Sequence, residues 1–445
     1  MTPPEVSRST APVRAAARGY ANGLSKLGDG LAGLLSFRSA MVAQLWKPER
    51  VRVTQLQCLR RQIEHACRTV PYYRELLSSA GVRHDDIRSV PDLQHIPITT
   101  KQDLRDAGYD ACISSAFRDE ELHLQSTSGS SGQPFKVYRE RSAERRRSGF
   151  LLRALAAAGY RLGDRLLLVV EPPEGQPPAW TRWRKIGFEQ SAEHLLREVN
   201  DHRPKIVFGY VSPLRQLAKL VSEGAPLRHR PEAVVTVSES LDPATRHLIA
   251  DAMKTDVFEI YGNVECGTIA WECSTHHGLH VAEDSVVLEL LPTGESGSSR
   301  IVVTNLHGLA MPFLRFDTGD LAAASPHEEN CACGCTLGKM GRVSGREMDG
   351  VTRPDGTFVA PFSLTNVVGA IPGIKRYPLV EFGIGQIRVR LEQAAMPSSD
   401  VAGQIESGIR GVVGPDTQVV LEIAPSLEPP PGRKFRLVEN RIPRA

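Results

Sequence analysis

The sequence predicts an α/β protein: a large part built on parallel-rich sheet, a β-rich part after it, and a small α+β unit at the C-terminal end. Three observations predict it. Between residues 165 and 260, apolar runs of strand length alternate with helical patterns at short spacing, as in crossover-connected parallel strands whose ligands lie beyond the strands' carboxyl ends. From Ser285 the texture turns to β-strand. From about Gly350, strands and a helix mix again. A chain of 445 residues is too long for one ordinary core and favours two or three domains.

In order, residues 1 to about 45 are rich in Ala, Gly and Arg, with a loose helical spacing through Leu24, Leu27, Leu31 and Leu35, and are expected to form a weakly held leader. Leu56, Leu59, Ile63 and Ala66 then mark a helix from Val51, which Val70-Pro71-Tyr72-Tyr73 ends before a second short one. Pro91 and Pro97 lead to Thr99-Thr100-Lys101-Gln102-Asp103, the start of a capped helix. Leu122-His123-Leu124 and Phe135-Lys136-Val137-Tyr138 alternate as strands on either side of a loop. A helix through Ala157 precedes the apolar strand Arg165 to Val170, and a Pro- and Trp-rich loop runs from Pro172 to Trp183. Helix Ala192 to Val199, strand Ile206-Val207-Phe208, helix Leu214 to Val221, strand Ala233 to Val237, helix Pro243 to Met253 and strand Val257 to Ile260 follow. The β-rich part holds strands Val286 to Leu291, Arg300 to Thr304 and Phe313 to Phe316. The last unit has strands Tyr377 to Glu381 and Gln386 to Leu391, a helix Asp400 to Val412 and a strand Gln418 to Ile423. Pro425, Pro429, Pro430 and Pro431 then stiffen the approach to Gly432-Arg433-Lys434-Phe435-Arg436.

Composition narrows the function classes. Apolar residues at 41% and charged ones at 24% are those of a soluble globular protein, and a net charge of +3 selects no partner. Arg145-Arg146-Arg147 is the one tight basic run; it reads as a solvated helix face, so nucleic acid is not expected as a partner. No apolar stretch reaches the ~18–20 residues of a membrane span. Arg14 and Arg18 are not followed by an apolar core and cleavage site, so a cytoplasmic location is expected. Of eight cysteines, five lie between Cys266 and Cys335. Cys331-Ala332-Cys333-Gly334-Cys335 is too tight for ordinary disulfides, and in a reducing compartment such thiolates more often hold metal.

Four stretches carry chemistry. Ser126-Thr127-Ser128-Gly129-Ser130-Ser131-Gly132-Gln133-Pro134 offers five hydroxyls and two glycines able to turn N–H and O–H groups on phosphate oxygens. Pro134 excludes a Walker loop, and a solvated Ser/Gly hairpin also fits. Glu259-Ile260-Tyr261-Gly262-Asn263-Val264-Glu265 places an aromatic and a carboxylate just past a strand. Arg315-Phe316-Asp317-Thr318-Gly319-Asp320 presents two carboxylates around a turn, and Gly341-Arg342-Val343-Ser344-Gly345-Arg346-Glu347-Met348-Asp349 is basic, then acidic. Taken singly, a packed Tyr, a turn-holding Asp and a charged linker explain them.

Together and in this order they resemble the adenylate-forming superfamily, within it the phenylacetate–CoA ligase and capsule-biosynthesis adenylate-ligase branch, over about residues 50 to 440. His65-Ala66 with Val70-Pro71-Tyr72-Tyr73, Pro97-Ile98-Thr99-Thr100-Lys101, Val237-Ser238-Glu239-Ser240-Leu241 and Cys331-Ala332-Cys333-Gly334 are similar to that branch as well. The resemblance implies a large adenylation domain over residues 46–346 and a small mobile lid over residues 347–445, after the leader of residues 1–45. It implies that a carboxylic acid is joined to the α-phosphate of ATP, and the acyl group then passed to a thiol. Neutralising phosphate charge should dominate such chemistry.

By the same resemblance Ser128, Gly129, Ser130, Ser131 and Gly132 hold the β- and γ-phosphates, and Glu265 binds Mg²⁺. Ser238, Glu239, Ser240, Tyr261 and Gly262 border the adenine. Asp320 accepts both ribose hydroxyls, with Arg346 on the ribose–phosphate side and Arg342 among the nucleotide-binding residues. Lys434, the one lysine after Lys375, is the catalytic cation, its compact ammonium carried by the lid. Phe208, Gly209 and Tyr210 are expected in the wall of the acid pocket. Cys273, His280, Cys331 and Cys333 form a candidate structural Cys₃His zinc site, with Cys335, His276 and His277 in reserve.

The sequence departs from the family pattern at Met348 in the hinge, Val264 in place of a Thr, Gln133 in place of a Lys and Arg433 in place of a Gly. The expected function is activation of an aryl or other small organic acid, with coenzyme A as acceptor. A carrier-protein thiol or an amine is the alternative acceptor, and a zinc-stabilised binding protein without turnover the alternative of another class. A dimer stays open, and a membrane-surface role for the leader comes last.

Overall fold

A computed structural model describes residues 32–118, 120–126, 135–170, 177, 181–293, 297–323, 331–346, 349–353, 357–359, 361–369, 371, 374, 377–392, 396–425, 427 and 438–442. At its centre is a mixed eight-stranded sheet. Its spatial order is Lys339–Met340, Leu279–Val281, Gly267–Trp271, Asp256–Asn263, Ala233–Val237, Ile206–Tyr210, Leu166–Val170 and Trp183–Gly187. The last five, from Asp256–Asn263 onward, are parallel; the first three extend the sheet antiparallel. Successive strand residues point to opposite faces, so a continuous apolar run implies burial on both. Val207, Val234 and Val257 pack under helices Ala192–His202, Val211–Ser222 and Pro243–Met253 through Leu195, Leu214, Leu217 and Ile249. Their neighbours Phe208, Val235 and Phe258 meet Leu152 and Leu155 of helix Arg141–Ala157 on the other face.

Several expectations are corrected. The Pro- and Trp-rich loop ends in a strand, Trp183–Gly187, paired in parallel with Leu166–Val170 and held by the Trp183 Nε1–H donating to the Tyr160 hydroxyl at 2.8 Å. Arg315 to Asp320 is not a turn: strand Phe316–Ala323 runs through it, and the strand expected at 313–316 begins only at Phe316. In the stretch expected to be weakly held, helix 32–43 is packed. Ala40 and Ala43 are buried, the Arg153 guanidinium donates to the Ala40 carbonyl at 3.2 Å, and a Cβ on Gly149 would lie 2.7 Å from Ser36 and Phe37.

A second, antiparallel sheet joins Val286–Pro292, Ser298–Asn305, Phe316–Ala323 and Val343–Arg346. The hairpin His123–Ser126 with Lys136–Arg139 is antiparallel as expected; the hydroxyl-rich residues 127–134 lie outside the described residues. Farther on, strands Gln418–Ala424, Gln386–Glu392, Leu379–Gly383 and Val438–Asn440 form a four-stranded sheet. Helices Pro361–Gly369 and Ser399–Val413 cover it, enclosing Leu364, Leu379, Ile387, Ile405 and Ile409 in a core of its own. Helix Val211–Ser222 touches this unit through Lys219, whose ammonium is 2.9 Å from Glu392. No helix among the described residues is long and apolar enough to cross a membrane.

Candidate active site

The carboxyl ends of three central strands are aligned by their pairing: Tyr210 lies opposite Val237, and Val237 opposite Ile260. Ser238 follows with a left-handed φ of 70° that turns the chain away from the sheet. The Glu239 carboxylate accepts the Ser212 N–H at 2.6 Å, at the start of helix Val211–Ser222, where the helix dipole favours an anion. Strand Asp256–Asn263 carries Tyr261 and Gly262 within it rather than beyond its end. Gly262 is required by close approach, because a Cβ there would collide with the Gly267 carbonyl oxygen.

The turn after this strand presents Glu265. Asn263 Oδ1 accepts the Cys266 N–H at 2.7 Å, and the Val264 carbonyl accepts from Arg139 at 2.7 Å and Arg147 at 3.0 Å. Arg139 also donates to Gln125 across the hairpin, so the two strands of the hairpin are tied to this turn. Burial and the neighbouring Arg139 hold Arg147 down to about 10. The Glu265 side chain is fully buried, with the Lys101 ammonium 2.8 Å from its Oε1. Its Oε2 has no hydrogen-bond partner among the described residues. That orphaned buried oxygen fits a hard dication.

Lys101 is the functional candidate that sequence reasoning missed. Thr99 is locked beside strand Phe316–Ala323, its N–H donating to Arg315 at 3.0 Å and its carbonyl accepting from Asp317 at 2.9 Å. Thr100 caps the following helix, Lys101–Ala107, which leaves Lys101 in the first turn. A cation there opposes the helix dipole. That misfit was the available signal of an anion waiting for it.

Across from Tyr261 stands Asp320. The Tyr261 hydroxyl donates to Asp320 at 2.9 Å, and Arg346 Nε lies 3.6 Å from the other carboxylate oxygen. Burial pushes the Asp320 carboxyl up, with Arg346 opposing; burial and Asp320 push the Tyr261 phenol up. The second carboxylate expected here, Asp317, is turned to Arg300 instead.

Arg342, expected among the nucleotide-binding residues, stands apart from the Tyr261–Asp320 contact on other partners. Its guanidinium is paired with Glu259 at 3.2 Å and with Glu272, because two buried carboxylates require cations. Arg246 adds a second, 2.8 Å from Glu272. Burial still pushes Glu259 up to about 7 against the pull of Arg342. Of the expected pocket wall, Phe208 packs in the core beneath helix Arg141–Ala157, a Cβ on Gly209 would lie 2.7 Å from Val169, and the Tyr210 ring sits 5.1 Å from Phe188.

The predicted metal ligands do converge. The ligand atoms of Cys273, His280, Cys331 and Cys333 all lie within 4.8 Å of one another. The Cys273 and Cys331 sulfurs are 3.6 Å apart, near the roughly 3.8 Å edge of a tetrahedron with zinc–sulfur bonds of about 2.3 Å. His280 Nδ1 is 3.0 Å from the Leu337 carbonyl; as the donor there, it leaves Nε2, 3.3 Å from Cys333, with its lone pair inward. Burial opposes ionisation of Cys331, but hydrogen bonds from the Cys333 backbone and the Thr275 hydroxyl draw it down to about 5. Cys335 stays in the core and His276 bonds Glu272, so neither joins the cluster. Lys434 and the hinge pair Glu347 and Met348 lie outside the described residues.

No protein-family model matches the chain. Its curated relatives include the phenylacetate–coenzyme A ligase of Thermus thermophilus, 28% identical over 73% of this chain and 77% of that protein. Those of Pseudomonas putida and Escherichia coli are each 24% identical over 88% of this chain and 95% of theirs. Among solved structures, 2-hydroxyisobutyryl-CoA ligase in the postadenylation state with 2-HIB-AMP matches at a TM-score of 0.71 and 18% identity, over 90% of this chain and 91% of that one. The same ligase with 2-HIB-AMP and CoA in the thioesterification state matches at 0.60 and 18% identity, over 90% and 92%.

Proposed function

We propose that this homologue of the phenylacetate–coenzyme A ligases, built on the fold of the acyl-CoA ligases, is an AMP-forming acid–thiol ligase. Its substrate is an aryl or other small organic acid, and its acceptor the thiol of coenzyme A. The observation that carries the reading is the pairing of Lys101 with Glu265 beside the Tyr261–Asp320 contact: a cation-and-carboxylate end for phosphates and a hydroxyl-acceptor end for a ribose.

In this reading a carboxylate oxygen of the acid attacks the α-phosphorus of ATP and the bond to pyrophosphate breaks. The thiolate then attacks the acyl carbon and AMP leaves. Glu265 holds Mg²⁺, which supplies charge neutralisation at the phosphates. Ser128 to Gly132 wrap the β- and γ-phosphates, Ser238, Glu239 and Ser240 border the adenine with Tyr261 and Gly262, and Asp320 accepts the ribose hydroxyls with Arg346 beside it. Tyr210 lines the acid pocket. Lys434 brings the ammonium for the first step from a lid of residues 347–445, which closes on a large domain of residues 46–346. Cys273, His280, Cys331 and Cys333 hold a structural zinc, since four protein ligands leave no open position. Eight cysteines outside any disulfide, three of them in the zinc cluster, and substrates of this kind support a cytoplasmic location.

Pyrophosphate release across a panel of acids, followed by assays with coenzyme A, carrier protein or amine as acceptor, tests this. Acid-dependent release and a coenzyme A thioester are expected. ATP binding without acid-dependent release would refute the enzyme and leave a binding protein of the same fold; turnover with another acceptor would replace coenzyme A.

A further inference from the structure

Helix 32–43 is inverted relative to an ordinary surface helix, which hides its apolar stripe and shows its polar one. It buries the small residues Gly33, Ala40 and Ala43, with Phe37 partly buried beside them, and meets helix Arg141–Ala157 at Ser36, Phe37 and Ala40. It turns outward Leu34, Leu35 and Val42, and Leu45 follows just past its end, at 37%, 61%, 50% and 64% exposure. The docking is firm. Arg153 bonds the Ala40 carbonyl, and Thr336 bonds the Gln44 and Trp46 carbonyls, so the leucines are presented rather than left over from a frayed end. Arg38 stands among them, with Lys47, Arg50 and Arg52 just beyond, all exposed. In the sequence before the helix, Leu24, Leu27 and Leu31 keep the same helical spacing.

Charge selects the occupant. Residues 32–52 hold four Lys and Arg, Arg38, Lys47, Arg50 and Arg52, against the single acid Glu49, a net +3, which leaves 0 for the rest of the chain. A second copy would set +3 against +3. An anionic lipid headgroup layer over an acyl interior matches both the basic side chains and the leucines between them. We propose that this face seats the protein reversibly on an anionic lipid surface, Leu34, Leu35, Val42 and Leu45 entering the headgroup boundary and Arg38, Lys47, Arg50 and Arg52 meeting the phosphates. The seat is separate from the acid-activating site and does not depend on that reading.

Sedimentation of the full chain with large vesicles tests it. Pelleting with phosphatidylglycerol-containing vesicles is expected, with at least about tenfold weaker binding to phosphatidylcholine alone, and with a loss of binding as salt rises. Leu35→Glu with Leu45→Glu should weaken binding at least about tenfold, and Arg38→Gln or Lys47→Gln about fivefold each. Both leucines are exposed, so an unchanged melting temperature checks that the double variant still folds. No pelleting at low salt, as expected if residues 1–31 already cover the leucines, overturns the proposal. So does vesicle binding indifferent to the leucines, or a solution dimer that the leucine variant breaks.

Discussion

Glu259, within strand Asp256–Asn263, and Glu265, in the turn after it, are both buried carboxylates, and their partners separate their roles. Glu265 faces one ammonium and keeps an oxygen unpartnered. Glu259 is enclosed with Arg342, Arg246 and Glu272, and burial pushes it up to about 7 from an ordinary 4.5. A carboxyl raised on folding contributes stability that is complete below about pH 4.5 and is lost as pH rises through 7. Glu259→Gln, which cannot ionise, should therefore gain on the parent protein between pH 5 and pH 8, by on the order of 1–3 kcal/mol in urea unfolding. A difference flat across that range would mean that the arginines keep Glu259 ionised throughout. At this scale Tyr261 and Asp320 were legible as motif residues. The Lys101–Glu265 pair was not, because an ion pair between distant segments leaves no local pattern.

The four proposed zinc ligands are held by elements that are weak alone. His280 lies on strand Leu279–Val281, whose outer neighbour is the two-residue strand Lys339–Met340; Cys273 follows strand Gly267–Trp271, and Cys331 and Cys333 come from the loop before Lys339. Such short strands have little stability of their own, so a metal bound here would staple the antiparallel end of the large sheet. Purified protein is expected to carry about one zinc per chain, and Cys331→Ser to lower the melting temperature by on the order of 5–10 °C. Metal analysis well under one equivalent would count against the site. Cysteine spacing made the Cys331–Cys333 half of this cluster readable in advance; spacing alone leaves open which of His280, His276, His277, Cys273 and Cys335 join it. Strand Trp183–Gly187 was not, because an edge strand with Trp, Arg and Lys lacks the apolar run that marks its neighbours.

The last unit has a core of its own and meets helix Val211–Ser222 at the Lys219–Glu392 pair. If the last unit swings as a lid, Lys434 serves one half-reaction only. Lys434→Ala should then reduce acyl-adenylate formation by at least about 10²-fold, as loss of a charge-stabilising group does, while transfer from supplied acyl-adenylate to the thiol survives. Equal loss of both steps, measured separately, would remove the lysine from its role.

The sequence by itself determined the alternation of strand and helix, the capped helix after Thr100, the β-rich middle and the tight Cys331-Ala332-Cys333-Gly334-Cys335 run, because each is written in periodicity, capping residues or spacing over a few positions. Only the tertiary structure decided that Arg342 braces Glu259 and Glu272 rather than reaching toward Asp320, that Lys101 meets Glu265, and that helix 32–43 hides alanines and shows leucines. These depend on which surfaces meet once the sheets are stacked, where burial makes a charge find its counter-ion and close packing leaves room for a methyl group but not for a larger side chain.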